Sequence, residues 1–259
     1  MGRDENVKEF NDTMAKCRDD PILEESIRQS ISAQTIHLSS EPLSEKKVRF
    51  DATAVTVTKG RALQTARGLE GKVCVHNFAS FTHPGGGVAK GSTAQEESIC
   101  RISTLYPCLT DQRMMDGFYI PHKGFGSSLF NSDIIYTPGV KVFKLDSNNP
   151  ITLPRESWYD VDVITCAAPN LRNGKVPDTR LFELQKERVS RILNVAMRHE
   201  ANCLVLGAFG CGVFENDPSI VAQASKEALS YYEGCFRKVV FAIYSHSDDA
   251  NFKAFSKIL

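Results

Sequence analysis

The chain has 259 residues, with 31 basic and 31 acidic side chains and 42% hydrophobic residues, as expected for one large globular domain or two small ones. Its formal net charge of zero argues against a protein that wraps nucleic acid, because such binding requires a clear basic excess. The longest charge-free run, from Ala201 to Phe214, is too short and too interrupted by glycines to span a membrane.

In chain order, the hydrophobic patterns predict a helical beginning followed by alternating strands and helices. The predicted elements of the first half are two helices within 4–34 that part at Pro21, strands at 53–58 and 72–75, and a helix at 95–105. Those of the second half are strands at 133–136 and 161–167, a helix at 178–199, a strand at 203–206, a helix at 218–231, a strand at 239–243 and a helix at 249–258. This alternation predicts an α/β fold with a largely parallel or mixed sheet.

The eight cysteines are scattered along the chain, and no C-x-x-C pair indicates a zinc ribbon or a thioredoxin-like motif. Several, such as Cys166 and Cys203, lie in apolar runs, where cysteine is typically a small buried hydrophobe in a reducing compartment. The N-terminal segment MGRDENVKEF is charged and contains no hydrophobic signal region. These features predict a cytoplasmic protein.

Two glycine-rich loops follow predicted strands, so both are expected to open on the same edge of the sheet. The first contains three consecutive glycines, Gly85–Gly87, which are expected where a positive φ or close ligand approach is needed. Ser92 or Thr93, followed three residues later by Gln or Glu, predicts a capping box, which would place the loop amides at an anion-binding helix N-terminus. A P-loop is excluded because Ser, not Lys, follows Gly91, and no G-x-G-x-x-G motif with a downstream acid is present.

The second loop runs from Gly207 to Phe214. Gly210 and Gly212 can turn successive N–H groups inward as a nest for phosphate oxygens. Phe214 can either cover a sugar or base, or pack in the core. Cys211 has no neighbouring His or Lys in the sequence to activate it as a nucleophile, so we interpret it as a small residue that leaves room for a ligand.

Glu96 and Glu97 are the acids nearest the first loop, and neighbours on a helix point about 100° apart, so they cannot flank one bond from opposite sides. One can act as a general acid while the other holds a hydroxyl group or the helix. The helix dipole is expected to lower the pKa of both, and a bound diphosphate to raise them by like-charge repulsion.

Four ordered segments resemble the microbial-type poly(ADP-ribose) glycohydrolases, whose signature is three glycines, a short spacer and Gln-Glu-Glu. They are NFASFTHPGGGVAKGSTAQEESICRISTLYPCL (Asn77 to Leu109), IIYTPGVKVF (Ile134 to Phe143), VDVITCAAPN (Val161 to Asn170) and LVLGAFGCGVFENDP (Leu204 to Pro218). The resemblance implies a macrodomain-like three-layer α/β/α sandwich with a mixed central sheet. A helical N-terminal extension, 1–48, would pack on a catalytic core, 49–259, as one domain overall.

By this resemblance, Glu97 protonates the leaving 2′-oxygen of the ribose–ribose bond and Glu96 positions ribose hydroxyl groups, with no metal or cofactor. The glycines of the first loop would line the reacting ribose, and the second loop would cradle the diphosphate with Phe214 against the terminal ribose. The implied ADP-ribose-binding residues are Gly85, Gly86, Gly87, Val88, Gln95, Gly210, Cys211, Gly212, Val213 and Phe214, with Asn77, Ser80 and Asn170 as further candidates. One departure is His83, where the family pattern favours Asn; we interpret it as an exposed loop residue.

The leading hypothesis is therefore a glycohydrolase that acts on poly(ADP-ribose) chains. The predicted partners are poly(ADP-ribose) or an ADP-ribosylated macromolecule as substrate and ADP-ribose as product. One alternative is a hydrolase that removes single ADP-ribose units from a modified protein or nucleic acid. Another is a non-catalytic ADP-ribose-binding domain. The Gln95-Glu96-Glu97 sequence argues against this alternative, because binding alone has no use for an acid beside a diphosphate. Neither a membrane nor sequence-specific nucleic-acid binding is expected.

Overall fold

The structure is a computed structural model that describes residues 2–125, 129, 131–172, 174–244 and 250–259. The helices are α1 (Arg3–Asp19), α2 (Pro21–Ala33), α3 (Ala62–Ala66), α4 (Gln95–Ile102), α5 (Leu105–Leu109), α6 (Gln112–Met114), α7 (Ile120–Lys123), α8 (Asp178–Arg198), α9 (Pro218–Tyr231) and α10 (Ala250–Ile258). The strands are β1 (Thr35–His37), β2 (Ala54–Lys59), β3 (Val73–Phe78), β4 (Ile134–Val142), β5 (Tyr159–Cys166), β6 (Cys203–Leu206) and β7 (Lys238–Ile243). Short 3₁₀ turns at Val88–Lys90 and Arg155–Ser157 and a π-helical segment at Met115–Tyr119 complete the described helical structure.

The seven strands form one mixed sheet in the order β1-β4-β5-β3-β6-β7-β2. Strands β5, β3, β6, β7 and β2 run parallel to one another, whereas β4 is antiparallel to both β5 and β1. The mixed sheet predicted from the sequence is confirmed. Because β3 and β6 are parallel neighbours, their carboxyl ends meet at one edge of the sheet.

Alternate side chains of the central strands enter two separate cores, one on each face of the sheet, as the two-residue period of a strand requires. On β3, Val73 and Val75 pack with residues of α1, α3 and α4, whereas Cys74 packs on the opposite face with residues of α8, α9 and α10. The result is the expected three-layer α/β/α sandwich. Among the described residues, no helix is both long and apolar enough to cross a membrane.

Three predicted boundaries are wrong for physical reasons. Helix α4 ends at Ile102 rather than at residue 105, because the next two residues bind β4: Ser103 bridges Val142 and the Thr104 amide donates to the Lys141 carbonyl. Strand β4 continues to Val142 through a bulge, where the sequence predicted only 133–136. Strand β3 continues to Phe78, three residues beyond its predicted end at residue 75. The predicted first residue of the last helix, Asp249, lies outside the described residues.

The N-terminal segment contributes two helices to the α4 side of the molecule and one strand to the sheet itself. Helix α1 packs against α4 and the 3₁₀ turn Val88–Lys90, and α2 packs against β4. Strand β1 is the edge strand next to β4. Helices α1 and α2 and strand β1 are therefore tied to the core, and one of their contacts is the glycine-rich loop after β3.

Candidate active site

The two glycine-rich loops share one cleft at the carboxyl edge of the sheet. The first loop (79–94) connects β3 to α4, and the second loop (207–217) connects β6 to α9. The cleft has a volume of about 500 Å³. Of the sequence-predicted site residues, those that line it are Ser80, Gly86, Gln95, Glu96, Glu97, Gly210, Gly212, Val213 and Phe214. The convergence predicted from the two strand ends is confirmed.

The remaining candidates lie behind or beside the cleft wall. Asn77, Gly85 and Val88 are buried, and Val88 is part of the core on the α4 face of the sheet. Gly87, Cys211 and Asn170 are partly exposed but do not contribute to the wall. Gly85, Gly87 and Asn77 nevertheless act on the site indirectly, because their N–H groups bind the two glutamates.

Gln95, the first residue of α4, forms hydrogen bonds to the backbone of strand β3 through both the oxygen and the nitrogen of its side-chain amide. Its Oε1 atom accepts from the Phe78 amide at 2.8 Å, and its Nε2 atom donates to the His76 carbonyl at 2.7 Å. Both backbone groups lie after Val75, which is the last residue of β3 that pairs with β6. Gln95 thus replaces a neighbouring strand at the end of β3 and fixes the start of α4 against the sheet.

The carboxylate of Glu96 is buried in a ring of donors. Its Oε2 accepts from the Ser80 amide at 2.7 Å, and its Oε1 from the Gly85 amide at 3.2 Å and from Asn77 Nδ2 at 3.5 Å. Burial, together with the charge of Glu97, raises the pKa of Glu96 to about 8 against the opposing effect of these donors. The sequence-based expectation that the helix dipole lowers the pKa is therefore wrong for Glu96, because desolvation dominates.

Glu97 has a different environment on each of its two carboxylate oxygens. Oε1 accepts from the Gly87 amide at 2.9 Å, whereas Oε2 is buried and has no hydrogen-bond partner among the described residues. The side chain as a whole is 7% exposed and lines the cleft. One oxygen is thus anchored by the loop, and among the described residues the hydrogen-bonding capacity of the other is unused.

Gly86 is required by the closeness of both carboxylates. Its φ is +59°, and a Cβ atom there would lie 2.5 Å from Glu97 Oε1 and 3.0 Å from Glu96 Oε2. A side chain would therefore displace the acids as well as strain the backbone. On either side of Gly86, the amides of Gly85 and Gly87 donate to the two buried carboxylates that α4 supplies.

The capping box predicted at Ser92 or Thr93 is wrong. The N-cap of α4 is Ala94, with no side-chain cap, because Gln95 and Glu96 reach the β3 backbone and the first loop instead of the start of their own helix. The first loop holds the two acids of α4 through the amides of Ser80, Gly85 and Gly87.

The second loop does offer free amides. Within the described part of the chain, the N–H groups of Gly212 and Val213 have no acceptor, and both residues are exposed at the cleft. Gly210 has φ +79°, and a Cβ there would lie 2.6 Å from Ala168 Cβ. This arrangement is typical of a nest for an anion.

Asn216 holds the second loop in shape and was missed from the sequence. Its side chain is buried, and Nδ2 donates to the carbonyls of Pro169 at 2.7 Å, Phe214 at 3.0 Å and Gly210 at 3.2 Å. Its Oδ1 accepts from Gln185 Nε2 at 2.7 Å. Asn-Asp-Pro before a helix indicates only a turn and cap, so nothing local reveals this bracing.

Four further candidates, Phe214, Cys211, His83 and Asn170, have environments that suggest no catalytic role. Phe214 is half-buried: it packs on the core and also lines the cleft. The two roles expected from the sequence, a core residue and a cover for a sugar or base, are therefore compatible. Burial raises the pKa of the Cys211 thiol, which fits a packing residue rather than a nucleophile. His83 is exposed and its ring bonds to Thr82 Oγ1 at 2.8 Å. Asn170 accepts from the Arg172 amide at 3.2 Å, in a local turn.

The cleft continues along the sheet edge to the ends of β2 and β7, a part that sequence reasoning missed. There the Arg61 guanidinium lies over the Tyr244 ring at 4.0 Å, and Arg61 faces Asp146 at 3.7 Å. The carboxyl ends of these two strands were the available signal. No group of three His, Cys, Asp or Glu side chains in the described ranges is placed to hold a metal ion.

Comparison with known proteins gives a family and several similar structures. Residues 10–145 match the family described as the catalytic domain of microbial-type PARG. The poly(ADP-ribose) glycohydrolase of Thermomonospora curvata is 29% identical, with a TM-score of 0.87 over 99% of this chain and 100% of that chain. The enzyme of Deinococcus radiodurans in complex with ADP-ribose is 31% identical, with a TM-score of 0.80 over 90% and 96%. No curated protein sequence matched the chain.

Proposed function

The chain belongs to the microbial-type poly(ADP-ribose) glycohydrolase family, and from that premise we propose that it hydrolyses ribose–ribose O-glycosidic bonds with Glu97 as the general acid. One observation carries the assignment of the acid: Glu97 lines the cleft with one oxygen anchored by Gly87 and the other buried without a partner. A carboxyl group held in this way can present its proton in one direction.

The second loop supports the binding half of the proposal. The open amides of Gly212 and Val213 face the same cleft as the two acids, and they suit the diphosphate of ADP-ribose. The structure of the Deinococcus radiodurans enzyme was determined with ADP-ribose, and that of the Thermomonospora curvata enzyme with the inhibitor ADP-HPD. With the diphosphate on the second loop, the terminal ribose extends towards Glu97, beside Phe214.

The proposed reaction requires one proton donor. Glu97 gives its proton to the 2′-oxygen that leaves as the glycosidic C–O bond breaks, while positive charge develops on the ribose. Water then adds to the anomeric carbon, and the Glu97 carboxylate accepts a proton from that water, which restores the acid. Glu96, whose carboxylate accepts three hydrogen bonds, has acceptor capacity left for a ribose hydroxyl group.

We also propose a domain organisation, a cellular compartment and a substrate for the protein. Residues 1–48 form an extension of a macrodomain-like core, 49–259. The compartment is the cytoplasm, because seven of the eight cysteines are buried thiols that behave as small apolar side chains. The substrate is poly(ADP-ribose), free or attached to a macromolecule, and ADP-ribose is the product.

The test is incubation of the purified protein with poly(ADP-ribose), with the products separated by chromatography. The expected result is release of ADP-ribose from the polymer and none from a protein carrying single ADP-ribose units. Release from the singly modified protein alone would replace the proposal with mono-ADP-ribosyl hydrolysis. Binding of ADP-ribose without release from either substrate would leave only a binding domain.

A further inference from the structure

Three consecutive carbonyl groups of the first loop are each bound by a side chain from outside the loop. Arg3 Nε donates to the Lys90 carbonyl at 2.7 Å, and Asn6 Nδ2 donates to the Gly91 carbonyl at 3.1 Å. The guanidinium of Arg101, on α4, donates to the next carbonyl, that of Ser92. Two of the three donors come from α1, more than 80 residues earlier in the chain.

The bound segment is connected directly to the acid. The amides of Lys90 and Ser92 both donate to the Gly87 carbonyl, at 2.9 and 3.2 Å, and the Gly87 amide donates to Glu97 Oε1 at 2.9 Å. A displacement of 90–92 would therefore move Gly87 and, with it, the anchored oxygen of Glu97. Among the described residues, the other oxygen has no hydrogen-bond partner that would keep it in place.

Helix α1 is fitted to this loop by shape as well as by hydrogen bonds. Gly91 has φ +77°, and a Cβ atom there would collide with the carbonyl oxygen of Arg3, so α1 packs against bare backbone. The Asn6 amide is only 3% exposed, which makes its hydrogen bond costly to lose. One turn further, the ring of Phe10 contacts that of Tyr106 edge-on at 4.8 Å. Tyr106 in turn lies where a Cβ of Gly85 would be, with its Cδ2 atom 2.6 Å away.

We infer that α1 is part of the catalytic apparatus and that Asn6 is a positioning residue, which sets the Glu97 carboxyl group through Gly91 and Gly87. Asn6 does not line the cleft, so it acts on the rate through the loop rather than by binding substrate. The inference rests on the proposed role of Glu97. A helix outside the sheet thereby controls the geometry of an acid that the sheet edge presents.

The test compares Asn6→Ala and Asn6→Asp in the full chain with wild type. Asp keeps the size of Asn but cannot donate to the Gly91 carbonyl, so both variants should lose the same function. We expect kcat on poly(ADP-ribose) to fall on the order of tenfold or more, because small misplacements of a catalytic group have large effects on rate. KM and the affinity for ADP-ribose, which depend on the second loop, should stay within about twofold.

The matched control is Ser30→Ala. Ser30 is equally buried in the N-terminal segment, but its hydroxyl donates to the Gly139 carbonyl at 3.2 Å, away from the first loop. If the Asn6 substitutions acted only by a general loss of packing, they and Ser30→Ala would lower stability alike. Neither would then reduce kcat while leaving KM unchanged. Hydrogen–deuterium exchange supplies a readout that needs no activity: peptides covering 85–92 should exchange faster in the Asn6 variants and not in Ser30→Ala.

Arg3→Ala serves if the Asn6 variants do not fold, because Arg3 is exposed and its removal leaves no buried cavity. It should show the same faster loop exchange and a smaller loss of kcat. Unchanged kcat and unchanged loop exchange in the folded variants would overturn the inference. If wild type does not cleave the polymer, the proposed function fails instead, and the exchange data still decide whether α1 holds the loop.

Discussion

The two glycine-rich loops look alike in sequence and perform opposite tasks. Both follow parallel neighbouring strands and both reach one cleft. In the first loop, the Gly85 and Gly87 amides are occupied by the carboxylates of Glu96 and Glu97. In the second loop, the Gly212 and Val213 amides face the cleft and have no acceptor among the described residues. Glycine therefore signals close backbone approach in both cases, but one loop positions acids and the other is open to an anion.

This contrast separates rate from affinity. Changes in the first loop should reduce turnover more than binding, because they displace groups that act on the breaking bond. Changes in the second loop should reduce binding first, because they alter the amides that receive the diphosphate. Each substitution below is designed to show whether the two effects can be separated.

The largest expected effect is that of Glu97→Gln. Glutamine has the same shape and can still accept from the Gly87 amide, but it cannot donate the proton that the leaving oxygen needs. We expect kcat to fall by about 10²–10⁴-fold. The affinity for ADP-ribose, measured by calorimetry, should change by less than about threefold. Glu24→Gln, on the exposed surface of α2, is the control. Near wild-type turnover in Glu97→Gln would show that another group is the acid.

Gly86→Ala should have the next largest effect on turnover. The new Cβ would lie 2.5 Å from Glu97 Oε1, at a residue whose φ is +59°, so the acid must move. We expect a loss of kcat on the order of 100-fold with a smaller loss of ADP-ribose affinity. Gly174→Ala is the matched control, because a Cβ there meets nothing within 4 Å. An equal loss of affinity and kcat would contradict the division between the two loops.

The second loop is tested by two neighbouring glycines with different surroundings. Gly210→Ala should cost about 1–3 kcal/mol of stability, because its Cβ would meet Ala168 and Asn216 in a left-handed conformation. Gly212→Ala meets nothing within 4 Å in the free protein and should leave the unfolding midpoint unchanged. Both should weaken ADP-ribose binding by about tenfold if the diphosphate approaches this backbone. Unchanged affinity in Gly212→Ala would place the anion elsewhere.

The smallest expected effect concerns stability and pH. The folded-state pKa of Glu96 is about 8, above the ordinary value of 4.5. Between these values the folded protein binds more protons at this group than the unfolded chain, so Glu96 lowers the free energy of unfolding as the pH rises through that window. Glu96→Gln cannot titrate, so its decline in stability from pH 5 to pH 8 should be shallower, by a few kcal/mol at most. Urea unfolding at the two pH values measures this, and parallel declines would show that Glu96 is not buried in this way.

The elements with strong local signals were predictable. Strand β6 and helix α9 have the predicted bounds, because one is a short apolar run before glycines and the other begins with Pro at its first position. The approach of the two loops followed from strand direction alone. Glu96 and Glu97 were identified by their position next to the first loop, and the resemblance supplied their separate roles. In the structure the two neighbours have different environments.

The contacts that the sequence did not reveal are all distant in the chain. Gln95 and Glu96 carry the pattern of a capping box, but they bond to groups 11–19 residues earlier, in β3 and the first loop. Asn6 meets Gly91 across 85 residues, and Asn216 meets Pro169 across 47. Periodicity and turn preferences describe local neighbours, so they cannot indicate which polar side chain crosses to another element.

The most direct test of this division is a crystal structure of the protein with ADP-ribose. The diphosphate should lie within about 3 Å of the Gly212 and Val213 amides. The terminal ribose should lie beside the free Oε2 oxygen of Glu97, with the carboxylates still held by Gly85 and Gly87. A diphosphate bound instead to the first loop, with the two glutamates displaced from the glycine amides, would contradict the assignment of acids to one loop and anion to the other.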